Sequence, residues 1–395
     1  MSIQYGTYKN AEINESISLN LPETTKTPLF VHGHIHKDTA LDKFQKDYAG
    51  VHGYLSVCVC LFGITSNFAN IVVLTRKNMI TSTNIILTWL AVADTLKMTD
   101  YLPFVTHFYI QRDPEIKSTD YFFASQSKSW MYYLMFHASF AIVCHTIAIW
   151  LTISLAIFRF LYIWYPTRGN MWCSPRRAKI VIFTVYIAVA IICSPNYAMN
   201  NFEEFTKNNS VVLYRYIKSK SFDNTTFDHL NYYIQSILVK IVPCFMLTIL
   251  TFLLIYAMHK AYLRRRALKS EGRTEDANIH HEHNRTTGML LAVVVLFLIT
   301  ELPQGILTLL MTINPLIEND VYNPLGDMLD IVALCNNGVN FILYCSMSKQ
   351  FRDTFVSIFC GCCTKKETAW SKIKLITSAK NGHRDYSTAT HATHV

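Results

Sequence analysis

The sequence predicts an all-α membrane protein, a bundle of seven transmembrane helices followed by a short amphipathic eighth helix. Three observations support this fold class. Charged residues are 16% and hydrophobic residues 51% of the chain, whereas soluble proteins carry about 25% charged residues. Seven apolar stretches each reach roughly the 20 residues needed to cross a bilayer. Most of these stretches also contain a proline or a polar residue, which indicates helices that pack in a bundle.

The apolar stretches divide the chain into four parts. The predicted spans cover residues 54–74, 85–110, 131–165, 180–200, 230–258, 286–313 and 325–347. Residues 1–50 are expected to form a tail without a signal peptide, so the first span is expected to direct insertion. Residues 51–347 form the predicted seven-helix domain. An amphipathic helix is expected within residues 348–363, and a cytoplasmic tail over residues 364–395.

The distribution of positive charge predicts the orientation in the membrane. The connections after spans one, three and five hold most of the loop Lys and Arg residues, and such loops are usually cytoplasmic. The N-terminus is therefore expected outside and the C-terminus inside. Asn14, Asn208 and Asn224 begin glycosylation triplets on the predicted outer side. Asn284 begins one on the predicted inner side, which shows how weakly a bare triplet discriminates.

The cysteines and the C-terminus give further expectations. All cysteines fall in spans or on the predicted cytoplasmic side, so no extracellular disulfide is expected. Cys360, Cys362 and Cys363 follow the amphipathic segment, a position typical of S-palmitoylation. The last three residues, Thr-His-Val, form a weak candidate for binding a PDZ protein.

Several motifs resemble those of rhodopsin-like G-protein-coupled receptors. "TNIILTWLAVAD" ends in a buried acid, one arginine lies at the inner end of span three, prolines lie in spans five and six, and "NNGVNFILY" closes span seven. The residues that carry this resemblance are Asp94, Arg159, Pro243, Pro303, Asn340 and Tyr344. "CHTIAIWLTISLAIFR" and "TELPQG" further resemble the invertebrate, particularly nematode, myosuppressin, FMRFamide-like and sex-peptide receptor group.

The resemblance implies a receptor in the plasma membrane and not an enzyme. Its expected partners are an amidated neuropeptide, a heterotrimeric G protein of the inhibitory type and the lipid bilayer, with no nucleic acid. The alternative is a rhodopsin-like receptor for an unrelated peptide or small ligand. A retinal photoreceptor is excluded because span seven contains no lysine for a Schiff base.

The sequence departs from the receptor pattern at several positions. Phe158 stands where the family has an acid before Arg159, and Leu134 stands where one half of the usual disulfide would lie. The usual tryptophan before the sixth-span proline is Glu301, and a serine that often helps to bind sodium is Ala148. These departures affect both the ligand end and the G-protein end.

Glu301 is the most unusual candidate site residue, because an acid at mid-membrane depth needs a partner or a proton. His145, Lys240 and Lys97 are the candidate partners. Glu301 either binds a cationic group of the ligand directly, or forms an internal latch, meaning a contact that holds the inactive state and breaks on activation. The great depth of this position slightly favours the latch.

The remaining candidates lie at both ends of the bundle. His137, with Trp130, is a pocket candidate in span three, and Asp327 and Asp330 are expected to make an acidic rim that attracts a cationic peptide. Arg159 and Tyr344 are assigned to G-protein coupling.

A polar group is also expected in the middle of the bundle. An acid facing amide oxygens suits either a sodium ion or a water-bridged network. Its members are Asp94, Asn336, Asn337 and Asn340.

Overall fold

The computed structural model describes residues 40–112, 123–207, 211–219, 221, 226–270, 274–314, 317–359 and 361. Eight helices organise these residues, and we number them in chain order. They are α1 (Ala40–Leu74), α2 (Ser82–Val105), α3 (Lys128–Trp164), α4 (Pro175–Cys193), α5 (Val242–Ser270), α6 (Thr274–Ile313), α7 (Asn323–Met347) and α8 (Lys349–Phe359). Short helices over Pro166–Trp172, Pro195–Met199 and Thr226–Ile234 lie in the connections.

Seven of these helices form the predicted membrane bundle. Six regions, built on α1 and α3 to α7, are long and apolar enough to cross a membrane. Helix α2 is the exception because it carries Asp94, Lys97 and Asp100. All three side chains are buried, and α2 packs against α1, α3 and α4. Their spacing of three residues places them on one helix face, which the neighbouring helices cover.

Several helix boundaries differ from the sequence prediction, and the bundle also contains π-helical segments. Helix α1 begins at Ala40, so residues 40–50, which the sequence assigned to the tail, are helical. Three π-helical segments, Thr106–Ile110, Gln235–Ile241 and Glu318–Tyr322, adjoin α2, α5 and α7. Each of them lies close to a proline, since Pro103 lies near the end of α2, Pro243 follows the second segment and Pro324 follows the third. Proline disturbs the regular backbone ladder, and a wider turn is one way to accommodate this disturbance.

The sequence did not predict the small sheet at one end of the bundle. Strands β1 (Ala124–Ser125), β2 (Asn200–Lys207) and β3 (Val211–Lys218) are antiparallel in the order β1-β3-β2. Strands β2 and β3 form a hairpin, and we call this end of the bundle the hairpin end. Burial raises the pKa of Tyr216 in β3, so its hydroxyl stays neutral and donates to Asn200 Oδ1 at 2.6 Å.

One hydrogen bond attaches the hairpin to α3, and another attaches it to the segment before β1. Asn200 Nδ2 donates to Ser139 Oγ in α3 at 3.0 Å, and the Tyr216 N–H donates to the Phe123 carbonyl at 3.2 Å. The eight cysteines within the described residues are free thiols. Noncovalent contacts therefore position the hairpin over α3.

Helix α8 lies at the opposite end, which we call the Arg159 end. Phe351 is buried, and its ring lies 5.5 Å from that of Tyr344 in α7. Phe341 contacts both Phe351 and Phe355 with ring separations of 6.0 and 5.4 Å. This apolar face anchors α8 to α7, as the amphipathic pattern predicts.

Candidate ligand-binding and signalling sites

A cluster of charged and polar side chains occupies the middle of the bundle. It joins α2, α3 and α6 with the π segment before α5. We call it the ionic centre, and it consists of Lys97 (α2), His145 (α3), Lys240 (the π segment before α5), and Glu301 and Gln304 (α6). His145 Nε2 lies 3.0 Å from Glu301 Oε2, and Lys240 Nζ lies 3.7 Å from the same oxygen. Lys240 Nζ also donates to Gln304 Oε1 at 2.7 Å.

The hydrogen bonds assign the protonation of the imidazole. Lys97 Nζ lies 3.4 Å from His145 Nδ1. An ammonium can only donate, so a ring proton on Nε2 lets Nδ1 accept from Lys97. Lys240 Nζ also lies 3.5 Å from Nε2, and this longer contact is not a hydrogen bond in that tautomer. Nε2 then donates to Glu301. A neutral His145 thus lies between Lys97 and the Glu301 carboxylate and contacts both. Lys240 is the positively charged side chain that lies nearest to that carboxylate.

Local backbone features bring α5 and α6 together at this centre. Gly305 lies one turn after Glu301, and a Cβ at Gly305 would meet Cys244 Sγ at 2.8 Å. That separation is too short, so the glycine is needed for the close approach. Cys244 Sγ also donates to the Glu301 carbonyl, two residues before Pro303, at 3.7 Å. The approach places Lys240 beside Gln304.

A second polar cluster lies nearer the hairpin end. His137 Nδ1 is 2.6 Å from Asp100 Oδ2, and the Tyr133 hydroxyl donates to the Asp100 carbonyl. The Phe104 ring stacks on His137 with 4.2 Å between the centroids. The structure thus places His137 apart from Glu301. Sequence reasoning missed Asp100, although its three-residue spacing after Lys97 was a usable signal.

The open position expected for Asp327 and Asp330 on an acidic rim is wrong. Asp327 and Asp330 are only 8% and 9% exposed, and Tyr109 donates its hydroxyl to Asp327 Oδ1 at 2.7 Å. Both carboxylates therefore lie inside the bundle, between α7 and the helices beside it. Asp320, in the turn before α7, is exposed. The sequence places Glu318 in the same loop as Asp320, as part of the expected rim, and the side chain of Glu318 lies outside the described residues.

The expected polar group around Asp94 is assembled in one cavity. Its walls include Leu90, Thr152 and Phe297, and it holds about one water-sized particle. The predicted members Asp94, Asn336, Asn337 and Asn340 all line it.

Two side-chain amides, one bonded and one without a partner among the described residues, line this cavity beside Asp94. Asn340 Nδ2 donates to Asp94 Oδ2 at 3.4 Å. Asn337 Nδ2 is buried and has no hydrogen-bond partner among the described residues. One carboxylate, amide oxygens and a hydroxyl are suitable ligands for a single hard cation.

Arg159 lies near the end of α3 opposite the hairpin, one turn before Trp164. Its Nε atom is buried and has no hydrogen-bond partner among the residues described. Phe158 is 8% exposed, and Cys173 Sγ donates to its carbonyl at 3.4 Å. Packing thus surrounds this arginine where the family pattern would supply an acid. The sequence also offers Glu282, at the inner end of span six, as an acid for Arg159, and its side chain lies outside the described residues.

Phe158→Asp is expected to lower ligand-independent signalling by up to about fivefold, because a partly exposed ion pair contributes at most about 1 kcal/mol. The new carboxylate would hold Arg159 in the inactive arrangement. The measurement is basal G-protein activation normalised to surface expression. Phe158→Asn, which removes the ring without adding charge, is the control, and equal basal activity in the two variants contradicts the prediction.

Several predicted modification sites lie outside the described residues. These are the glycosylation candidates Asn14, Asn208 and Asn224, the palmitoylation candidates Cys360, Cys362 and Cys363, and the C-terminal PDZ motif.

The seven-helix bundle, with a buried ionic centre in its middle and an arginine near the far end of its third helix, defines a membrane receptor of the G-protein-coupled class. The model of the family described as "Serpentine type 7TM GPCR chemoreceptor Srw" matches residues 54–362. This match covers more than half of the chain, which belongs to that family. The protein is accordingly a multi-pass signalling receptor and not an enzyme.

Individual relatives agree with the family. The chain is 30% identical to the G-protein coupled receptor dmsr-1 of Caenorhabditis elegans, over 79% of this chain and 68% of the relative. It is 28% identical to the Sex peptide receptor of Drosophila melanogaster, over 84% and 77%. It is 26% identical to the FMRFamide receptor of Drosophila melanogaster, over 78% of this chain and 54% of that protein.

Proposed function

We propose that the protein is a plasma-membrane receptor for an amidated neuropeptide of the FMRFamide-like or myosuppressin-like kind, coupled to an inhibitory heterotrimeric G protein. The hairpin end faces the outside in this proposal, and the Arg159 end faces the cytoplasm. Relatives named for sex peptide and for FMRFamide support a peptide ligand. The excess of Lys and Arg in the connections at the Arg159 end supports the orientation.

The observation that carries the proposal is the density of buried charge between the hairpin and the middle of the bundle. Asp100, Lys97, Lys240, Glu301 and Asp327 are all no more than 9% exposed. Burying ionisable groups is costly unless they pair with one another or serve a function. A peptide offers cationic side chains, carbonyl groups and amide N–H groups together, so it can contact both signs of charge.

The coupling proposal rests on the opposite end. Arg159 supplies donors at the mouth of the bundle, and Tyr344 is buried where α7 meets α8. When the ends of α5 and α6 move apart, Arg159 would contact the inserted helix of a G protein, and the Tyr344 ring would leave Phe351 to fill the space. The candidate lipid and PDZ contacts of the C-terminal residues remain part of this proposal.

Cyclic AMP in cells that express the receptor tests the proposal. The probes are amidated Arg-Phe peptides and the same peptides as free acids. We expect the amidated forms to lower forskolin-stimulated cyclic AMP at nanomolar concentration and the free acids to lose this effect. Silence in both cyclic AMP and arrestin recruitment, with surface expression confirmed, would refute the peptide assignment within the panel.

A second candidate is a receptor for a small chemical ligand. The matched family is described as chemoreceptors, and that description favours small ligands over peptides. Activation by a small-molecule panel, with no response to any amidated peptide, would favour this candidate.

We also propose that Asp94 holds a sodium ion together with Asn336, Asn337 and Asn340. The expected result is that sodium chloride raises the melting temperature of the purified receptor by a few degrees above choline chloride, because a ligand that binds only the folded state stabilises it. Asp94→Asn should remove the difference, whereas Asp320→Asn, at an exposed acid, should keep it. An unchanged sodium effect in Asp94→Asn would leave the water-bridged network as the explanation.

A further inference from the structure

We propose that Asp327, with Tyr48, His52, Tyr109 and Asp330 around it, forms a subsite for a guanidinium group of the ligand. We call these five residues the guanidinium subsite. The inference rests on the proposed function, because it names the part of a peptide that this region would bind. It also separates the cation-binding site from Glu301, which the sequence had offered as a direct contact.

Three elements at the hairpin end build the subsite. Tyr48 and His52 lie one turn apart on α1, Tyr109 lies in the π segment after α2, and the two acids lie on one face of α7. The His52 and Tyr109 rings are 4.7 Å apart, and the Tyr48 and His52 rings are 5.6 Å apart. Asp327 and Asp330 are the charged side chains with an electrostatic effect on His52 among the described residues.

Two polar atoms in the subsite indicate that a ligand belongs there. His52 is fully buried, and its Nε2 lies 3.0 Å from the Tyr101 hydroxyl. Its Nδ1 has no hydrogen-bond partner in the described part of the chain, and neither does the buried Tyr48 hydroxyl. Buried polar groups are nearly always hydrogen-bonded. A ligand with several N–H donors would satisfy both atoms.

The charges favour this subsite over the ionic centre as the place for a cation. Asp327 takes its hydrogen bond from a neutral phenol. Glu301 already contacts Lys240, and Lys97 lies on the far side of His145. A ligand cation at Glu301 would therefore meet two ammonium groups. At Asp327 it would meet no lysine among the described residues, and the neighbouring carboxylate, Asp330, already has a partner of its own.

The shape and the donor count favour a guanidinium over an ammonium. A guanidinium has five N–H donors in one plane, whereas an ammonium has three around a point. The planar group can pair with a carboxylate through two hydrogen bonds and can stack against an aromatic face. The subsite offers two carboxylates, two aromatic rings, one imidazole and two unsatisfied polar atoms.

The first test is a double-mutant cycle with whichever amidated Arg-Phe peptide activates the receptor. We expect Asp327→Asn to weaken the potency of that peptide about 10- to 100-fold, as expected for loss of a charged hydrogen bond. Replacing the peptide arginine by neutral citrulline should weaken it similarly, and Asp327→Asn should then have little further effect. Asp320→Asn is the matched control. Equal losses for the arginine and citrulline peptides in Asp327→Asn would overturn the proposal.

The second test needs no peptide and therefore separates this inference from the proposed function. Tyr48→Cys introduces a thiol at a partly exposed position of the subsite. The measured quantity is the labelling rate with a cationic methanethiosulfonate divided by the rate with an anionic one. We expect this ratio to be higher for the introduced thiol than for a free thiol. Methylguanidinium should protect the thiol better than methylammonium. Asp327→Asn should abolish both effects, and the receptor without Tyr48→Cys gives the background from native cysteines.

The outcomes of the two tests are distinct. If no peptide activates the receptor but the thiol shows both effects, the peptide assignment fails and the subsite stands. If a peptide activates the receptor but the cycle shows no coupling, the function stands and the subsite fails. An unreactive thiol, or a labelling ratio unchanged by Asp327→Asn, would overturn the subsite as well.

Discussion

Glu301→Gln is expected to raise ligand-independent signalling about fivefold. The carboxylate bonds to His145 and lies near Lys240, so it joins α6 to α3 and to the segment before α5. Gln keeps the size of the side chain but removes its charge, which leaves Lys240 buried without its anion. A loss of about 1 kcal/mol from the inactive state relative to the active state corresponds to about fivefold.

The measurement is basal inhibition of cyclic AMP, normalised to receptor at the cell surface. Glu204→Gln makes the same substitution at an exposed position of the hairpin and should leave basal signalling unchanged. If Glu301 bound the ligand directly, Glu301→Gln would instead lose potency with no change in basal signalling. That result would remove the latch interpretation.

Arg159→Ala is expected to reduce ligand-stimulated G-protein activation at least tenfold while ligand binding and surface expression persist. The guanidinium lies at the mouth of the bundle with its Nε buried and without a partner among described residues. Losing a charge-assisted hydrogen bond to a partner costs about 1.5–3 kcal/mol. Removing the Arg159 side chain is therefore expected to destabilise the complex with the G protein more than it destabilises the folded receptor.

Nucleotide exchange on a purified inhibitory G protein measures this effect. Arg168→Ala, at an exposed arginine in the connection after α3, is the control for general loss of positive charge. Normal nucleotide exchange in Arg159→Ala would mean that the arginine only anchors α3 at the membrane interface, the simpler interpretation of its position.

The order and number of the helices could be predicted because each span is a long apolar segment, and the bilayer thickness fixes its length. The hairpin could not be predicted this way. Asn200–Lys207 and Val211–Lys218 are two short segments outside the apolar spans, and the bilayer sets no length for them. The start of α1 at Ala40 was missed for a related reason, since polar residues there continue a helix beyond the apolar segment.

The depth of the candidate residues could be predicted better than their direction. His145 lies fourteen residues from Arg159, about 21 Å along a helix, and the structure brings it to Glu301. The direction of a side chain around its helix depends on the neighbours. For that reason Asp327 and Asp330 were placed on an open rim, whereas α1 and the end of α2 cover them. Asp100 was missed because its partner, His137, lies on another helix.

Ligand-independent signalling in a double-mutant cycle tests most directly whether Glu301 and Lys240 hold the receptor inactive as one unit. Glu301→Gln and Lys240→Gln should each raise basal signalling about fivefold, and the double variant should show about the same fivefold increase, because one interaction cannot be lost twice. An increase of about 25-fold in the double variant would mean that the two side chains act independently. No change in either single variant would contradict the role of the ionic centre altogether.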